Sequence, residues 1–258
     1  MSLEKSKDMI EQLYGKEILK NFPNYEKFWQ EFIGNPDADQ VEPYKYHYPD
    51  NMPNEEKTKI EKSYLKIQMT HYTLFCHLAG AHFQERELET AKDLKDAKEK
   101  YFQSCEHFEA AYMHIGSVFY VLETLWCTVL RLIGHKEGKK GLGKVVKFLE
   151  DSDKNDLARR LKDIDENMMN RRHLPVHYSR VFITWHQGEM YVPLNVKEEM
   201  LWSQGYETIE WRRSDRQLYS DLVQAEKLVN ELHEALIRAY GSFIADKNIV
   251  VNRGGKRE

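Results

Sequence analysis

The densest grouping of chemically capable side chains in this 258-residue chain is Asn170-Arg171-Arg172-His173-Leu174-Pro175-Val176-His177-Tyr178. From Asn167 to Gly188 no Asp or Glu occurs, whereas Arg171, Arg172, Arg180, His173, His177 and His186 all do, so the window is locally cationic in a chain of formal charge -4. A guanidinium presents fixed, bidentate donors to a phosphate, and an imidazole exchanges protons near neutrality. Arg172 with His173 and His177 at a broken helix end therefore reads as a phosphate site. The same residues admit a plainer account, in which Arg172 pairs a core acid such as Glu123 and the histidines close the helix end.

Other candidates are weaker. Gly138 to Lys144 satisfies the GxxxxGK spacing, but Val145 stands where a Ser or Thr hydroxyl must reach magnesium, and a helix rather than a strand precedes it. A helix-connecting turn is expected there, and no nucleotide cofactor. His71, His77, His82, His107 and His114 are numerous, yet His71 and His77 do not share a helical face and no ExxH or HExxH pattern accompanies them. No metal is expected, and these read as core or surface histidines. Cys76, Cys105 and Cys127 are odd in number and widely spaced, which points to reduced thiols in a cytoplasmic setting. Glu123, inside the most apolar segment, needs a partner, because an uncompensated buried carboxylate is costly.

The elements that must hold these groups are mostly helical. Hydrophobic residues make up 41% of the chain and charged residues 31%, which excludes collagen-like, low-complexity and disordered architectures. Pro36, Pro43, Pro49 and Pro53 make the stretch 34–54 irregular and set a short helical start apart from the rest. From Asn54, the spacing of Ile60, Tyr64, Ile67, His71, Leu74 and Leu78 predicts one long amphipathic helix. The run Glu85 to Lys100, with 11 charges in 16 residues, predicts an exposed helix laced with ion pairs. Ile115, Phe119, Leu122, Trp126, Val129 and Ile133 form one stripe, and Val118, Val121 and Leu125 a second, as in the central helix of a bundle. Ile115 to Leu130, carrying Glu123, falls short of a membrane span, and Met1 to Lys20 offers no secretory signal.

Short helices are predicted over Lys144 to Glu150 and from Asn155 or Asp156, the second placing Leu157, Leu161, Ile164 and Met168 on one face. Pro175 then kinks or ends it near Leu174. Val181 to Trp185 and Met190 to Leu194 flank a turn and predict a hairpin. A last helix spans about Ser214 to Phe243, with a fraying end beyond it. The sum is an all-α, up-and-down helical bundle with a small β-hairpin insertion and an N-terminal helical extension.

Arg172-His173-x-x-x-His177 resembles the RX4–6H signature of the HEPN superfamily, in which an Arg, then a polar residue, then a His close a bundle helix. The chain as a whole is similar to a bacterial branch of poorly characterised HEPN proteins with an N-terminal extension. The resemblance implies a bundle over 101–245, an extension over 1–100 and a flexible tail over 246–258. It also implies a metal-independent endoribonuclease, a toxin or defence effector, working as a homodimer with a shared cleft. His177 is then the general base on an RNA 2′-OH, Arg172 the phosphate clamp, His173 the orienting or protonating group, and Arg171 an added substrate contact. RNA is the implied partner, with an antitoxin protein beside it and no membrane or cofactor. Two other readings compete: a non-catalytic dimeric HEPN-like binding or scaffold module, and a bundle holding a metal or small ligand in a His- and Tyr-rich interior.

Overall fold

The computed structural model describes residues 19–34, 44–135, 141–164, 184–193 and 210–252. In chain order these form α1 (Pro23–Phe32), β1 (Lys45–His47), α2 (Asn54–Ala91), α3 (Ala97–Leu132), α4 (Leu142–Asp151) and a helix α5 described over 155–164. There follow β2 (Thr184–His186), β3 (Glu189–Pro193), β4 (Trp211–Arg213), α6 (Ser214–Asp246) and β5 (Val250–Asn252). The architecture is mostly helical with two small antiparallel sheets, one pairing β1 with β5 and one ordered β2-β3-β4. Two compact units are built from interleaved segments, Met1–Thr73, Val121–Arg159 and Glu226–Glu258 in the first, Leu74–Tyr120 and Arg160–Ala225 in the second. The three long helices α2, α3 and α6 each contribute to both units.

In the first unit, α1 starts at Pro23, whose missing N–H falls where the helix has no carbonyl to offer it. Phe22, Tyr25, Phe28, Trp29 and Phe32 bury their rings, and polar atoms fix the seat. The Asn24 backbone N–H donates to Asn230 Oδ1 at 2.8 Å, while Asn24 Nδ2 donates to the Asn230 carbonyl at 3.2 Å. The core here joins Ile60 and Ile67 of α2, Leu122, Trp126 and Val129 of α3, Val145 and Leu149 of α4, and Val229, Leu232 and Leu236 of α6, all buried. The tail expected beyond Phe243 is instead ordered over 250–252, where Val251 lies opposite Tyr46 and Lys45 opposite Asn252. Tyr46 Oη anchors this ribbon by donating to the Phe32 carbonyl at 2.9 Å and meeting Tyr240 Oη at 3.1 Å.

In the second unit the charged run does not continue as one helix. It breaks over 92–96 and restarts where Asp96 Oδ1 accepts the backbone N–H of Glu99 at 2.8 Å. Asp96 thus satisfies one of the four N–H groups that a helix start leaves without a carbonyl. The hairpin register pairs Trp185 with Met190 and His186 with Glu189. Its turn places Gln187 at φ 50 and Gly188 at φ 79, the two left-handed residues of a type I′ turn, which matches the twist of the flanking strands. A third strand, unforeseen in the sequence, adds Arg213 opposite Tyr191 and Trp211 opposite Pro193. Met190 and Val192 are buried, and Met190 Sδ lies 3.7 Å from Cys105 Sγ of α3.

The most apolar window of α3 is long enough to cross a membrane by length and composition, but 61% of it is buried inside the fold. Packing on several sides accounts for its character: Ile115, Val118, Phe119, Val121, Leu122, Leu125 and Trp126 are all buried.

Candidate functional site

Arg171, Arg172, His173 and His177 lie outside the described residues, as do Met168 and Pro175. The elements on either side of them in sequence are described. Helix α5 buries Leu157, Ala158 and Leu161 on the predicted face, with Ile164 half-buried at its described end. The hairpin opens at Thr184. In sequence, the acid-free window follows the described end of α5 and extends through β2 to the hairpin turn.

Glu123 is half-buried rather than fully enclosed. Its carboxylate Oε1 lies 3.4 Å from where a Cβ on Gly141 would stand, at the residue that caps the start of α4. A carboxylate beside a helix N-terminus is stabilised by the N–H groups and partial positive charge there. Gly141 itself has φ 66, which a side chain would strain. The glycine-rich turn is, over its described part, a helix start that accommodates an acid, as a helix-connecting turn can.

A charged cleft of about 70 Å3 lies wholly within the second unit, lined by Lys92, Lys100, Ser104, Trp185, Met190 and Arg213 among others. Asp215, in the first turn of α6, organises it. Lys92 Nζ donates to Asp215 Oδ2 at 2.7 Å, and Arg213 donates through Nη2 to Oδ2 at 2.9 Å and through Nε to Oδ1 at 3.2 Å. Arg213 Nη1 also meets Glu189 Oε1 at 2.9 Å. Burial by itself raises the Asp215 pKa, yet the hydrogen bonds from Lys92 and Arg213 prevail and hold it at about 2. The arrangement is a clamp that ties β3, β4, the end of α2 and the start of α6 together. Asp215→Ala is expected to cost about 1–2 kcal/mol by removing the acceptor that both cations share, which leaves Lys92 to Glu89 and Arg213 to Glu189, measured by urea unfolding at pH 7. Because the folded pKa lies below the unfolded one, this contribution is complete above about pH 4 and disappears toward pH 2.

A second polar chain runs behind the clamp. Arg212 Nη1 donates to Gln217 Oε1 at 3.2 Å, Gln217 Nε2 donates to Asp221 Oδ1 at 2.8 Å, and Tyr112 Oη donates to Asp221 Oδ2 at 2.5 Å. Tyr112, Gln217 and Asp221 are all buried, so this is a satisfied interior network.

The histidines divide by unit. In the first, His71 and His233 are fully enclosed, with ring centroids 5.2 Å apart, and Tyr25 stacks on His71 at 3.9 Å. His233 Nδ1–H donates to the Val229 carbonyl at 2.8 Å, while His233 Nε2, both ring nitrogens of His71 and Trp29 Nε1 make no hydrogen bond among the described residues. Burial lowers the pKa of both imidazoles, His233 to about 4. In the second unit, His77 of α2 and His114 of α3 bring their Nδ1 atoms to 3.2 Å, and about two turns away His107 Nδ1 meets Gln84 Oε1 at 2.8 Å. Among the described residues no three His, Cys, Asp or Glu side chains converge as a metal-ligand set.

Comparison of the chain with protein-family models, with curated proteins and with solved structures finds no match. Among the residues that sequence reasoning missed, Lys92 reaches Asp215 across 123 positions and His77 reaches His114 across 37, whereas Arg213 and Asp215 stand two positions apart. Only Ser214-Asp215 at a helix start gave a partial signal.

Proposed function

We propose that this protein is a metal-independent endoribonuclease of the HEPN type, built on Arg172, His173 and His177. The observation that carries the reading is the acid-free stretch from Asn167 to Gly188, which sets an Arg and two His within six residues of sequence. The mostly helical architecture, with a long apolar α3 and a short sheet inserted before α6, supports a HEPN-like bundle.

In this reaction His177 accepts the proton of an RNA 2′-OH as that oxygen attacks the adjacent phosphorus in line. The bond from phosphorus to the 5′-oxygen breaks, and His173 protonates that leaving oxygen or orients the phosphate. Arg172 holds the nonbridging oxygens through both arms of its guanidinium and offsets the charge that grows on them in the transition state. Arg171 adds a phosphate contact that strengthens binding without entering the chemistry. The products are a 2′,3′-cyclic phosphate and a 5′-hydroxyl. Two copies of the chain share one cleft, so that each supplies a motif to the same RNA, and an antitoxin protein that covers the cleft would silence it.

The chemistry supplies its own test. An RNA oligonucleotide that is cut at one position is resynthesised with a single 2′-deoxy sugar on the 5′ side of that bond. Cleavage is expected to stop there, while the unsubstituted oligonucleotide is still cut. Cutting that ignores the deoxy substitution overturns 2′-OH attack. If purified dimer leaves every RNA intact yet binds it, a non-catalytic HEPN-like module is the better account.

A further inference from the structure

We infer that His77 and His114 form a two-histidine site for a divalent transition-metal ion of the Zn2+, Co2+ or Ni2+ class, joining α2 to α3 within the second unit. The site is independent of the ribonuclease reading, which uses neither residue.

The geometry comes first. The Nδ1 atoms face each other at 3.2 Å from two different helices, with ring centroids 5.5 Å apart and planes inclined at 51°. Two imidazoles bound to one tetrahedral ion at about 2.0–2.1 Å per bond hold their nitrogens about 3.3–3.4 Å apart. The pair therefore stands within about 0.2 Å of the spacing an ion demands. Without one, the two rings share a single N–H···N contact. That uses one lone pair where an ion would use two.

The pair is also held in place. At Gly80, one turn beyond His77 on α2, a Cβ would fall 2.5 Å from His114 Cε1, 2.7 Å from Nδ1 and 2.8 Å from Nε2. The His114 ring thus lies flat on the backbone of α2, in a seat that exists only because residue 80 has no side chain. A ring fixed in this way loses little freedom on ligation. Both histidines are half-buried, so positions beyond the two nitrogens are reachable by water. Burial lowers the pKa of both, and the neighbouring His77 lowers that of His114 further.

The proton balance closes without an outside reagent. In the free pair one ring carries its proton on Nδ1 and the other on Nε2. On ligation the first shifts its proton to Nε2, both Nδ1 lone pairs bind the ion, and no proton is released. Waters complete the shell.

The test is Co2+ titration of the full chain, read by visible ligand-field absorption, together with thermal melts in Zn2+. One equivalent of Co2+ is expected to bind, with affinity at least tenfold lower in both His77→Gln and His114→Gln, and Zn2+ is expected to raise the melting temperature of wild type but of neither of these variants. Gly80→Ala, which removes the seat while leaving both imidazoles, is expected to weaken binding as well. His107→Gln serves as a control that keeps the affinity. Binding that survives both His77→Gln and His114→Gln, or is lost only in His107→Gln, overturns the assignment, as does the absence of any bound equivalent in folded wild type. RNA cleavage in chelator is unaffected by either substitution, so a failure here and a failure of the ribonuclease reading are separate results.

Discussion

His177→Ala is expected to reduce RNA cleavage by about 10²–10⁴-fold, the range over which a positioned general base accelerates proton transfer. The loss falls on kcat, because the base touches the 2′-OH proton only as the transition state forms. Arg172→Ala is expected to cost about 10²–10³-fold, and Arg172→Lys to recover little of it, since a point charge does not reproduce two parallel donors to one phosphate. Arg171→Ala is expected to raise KM and leave kcat nearly unchanged. One imidazole must begin the reaction neutral and the other charged, so kcat/KM follows a bell-shaped pH profile whose basic limb disappears in His173→Ala if His173 is the acid. Equal losses in all four alanine variants, accompanied by altered circular dichroism, would assign the window to folding rather than chemistry.

The second large effect is on stability. His71 and His233 are enclosed by Tyr25, Phe28 and the helices around them, and burial lowers both pKa values, that of His233 to about 4. The unfolded chain binds protons on both groups below about pH 6.5, while the folded chain refuses them. Stability is therefore complete above about pH 6.5 and falls as pH drops from there toward 4, with His233 alone removing about 3 kcal/mol. Denaturant midpoints at pH 7, 6, 5 and 4 check this. His71→Leu should flatten the profile and leave stability at pH 7 nearly unchanged, because it removes two ring nitrogens that make no hydrogen bond among the described residues and fills a similar volume. A midpoint unchanged between pH 7 and pH 4 in wild type contradicts the argument.

Local patterns were readable in the sequence and distant meetings were not. The stripe from Ile60 to Leu78 is buried apart from half-buried Tyr64, and α6 buries Leu218, Leu222, Val229, Leu232 and Leu236 in register. Such periodicity is the direct imprint of a helix lying on a core. The hairpin was legible for another local reason, since Gln187-Gly188 suits the left-handed turn that joins β2 to β3. The break at 92–96 was missed because mixed charge hides a helix end. The Asp96-x-x-Glu99 capping pattern that marks the restart was there to be used.

Strands β1, β4 and β5 have three residues each, too few for alternation to register, and they exist because partners far away in sequence complete their ladders. The clamp on Asp215 and the His77–His114 pair share that origin. They arise from how helices and strands pack, which residue types and spacing do not encode. The proposed Arg172-His173-His177 site is the reverse case, a signal carried by local composition alone.

Cleavage of a mixed-sequence RNA pool in EDTA, by wild type and by His177→Ala at matched dimer concentration, with the new ends analysed, tests the central claim most directly. The account predicts cutting without metal, 2′,3′-cyclic phosphate at the new ends, and loss of both in the variant. Intact RNA with folded, dimeric wild type, or equal cutting by His177→Ala, contradicts it.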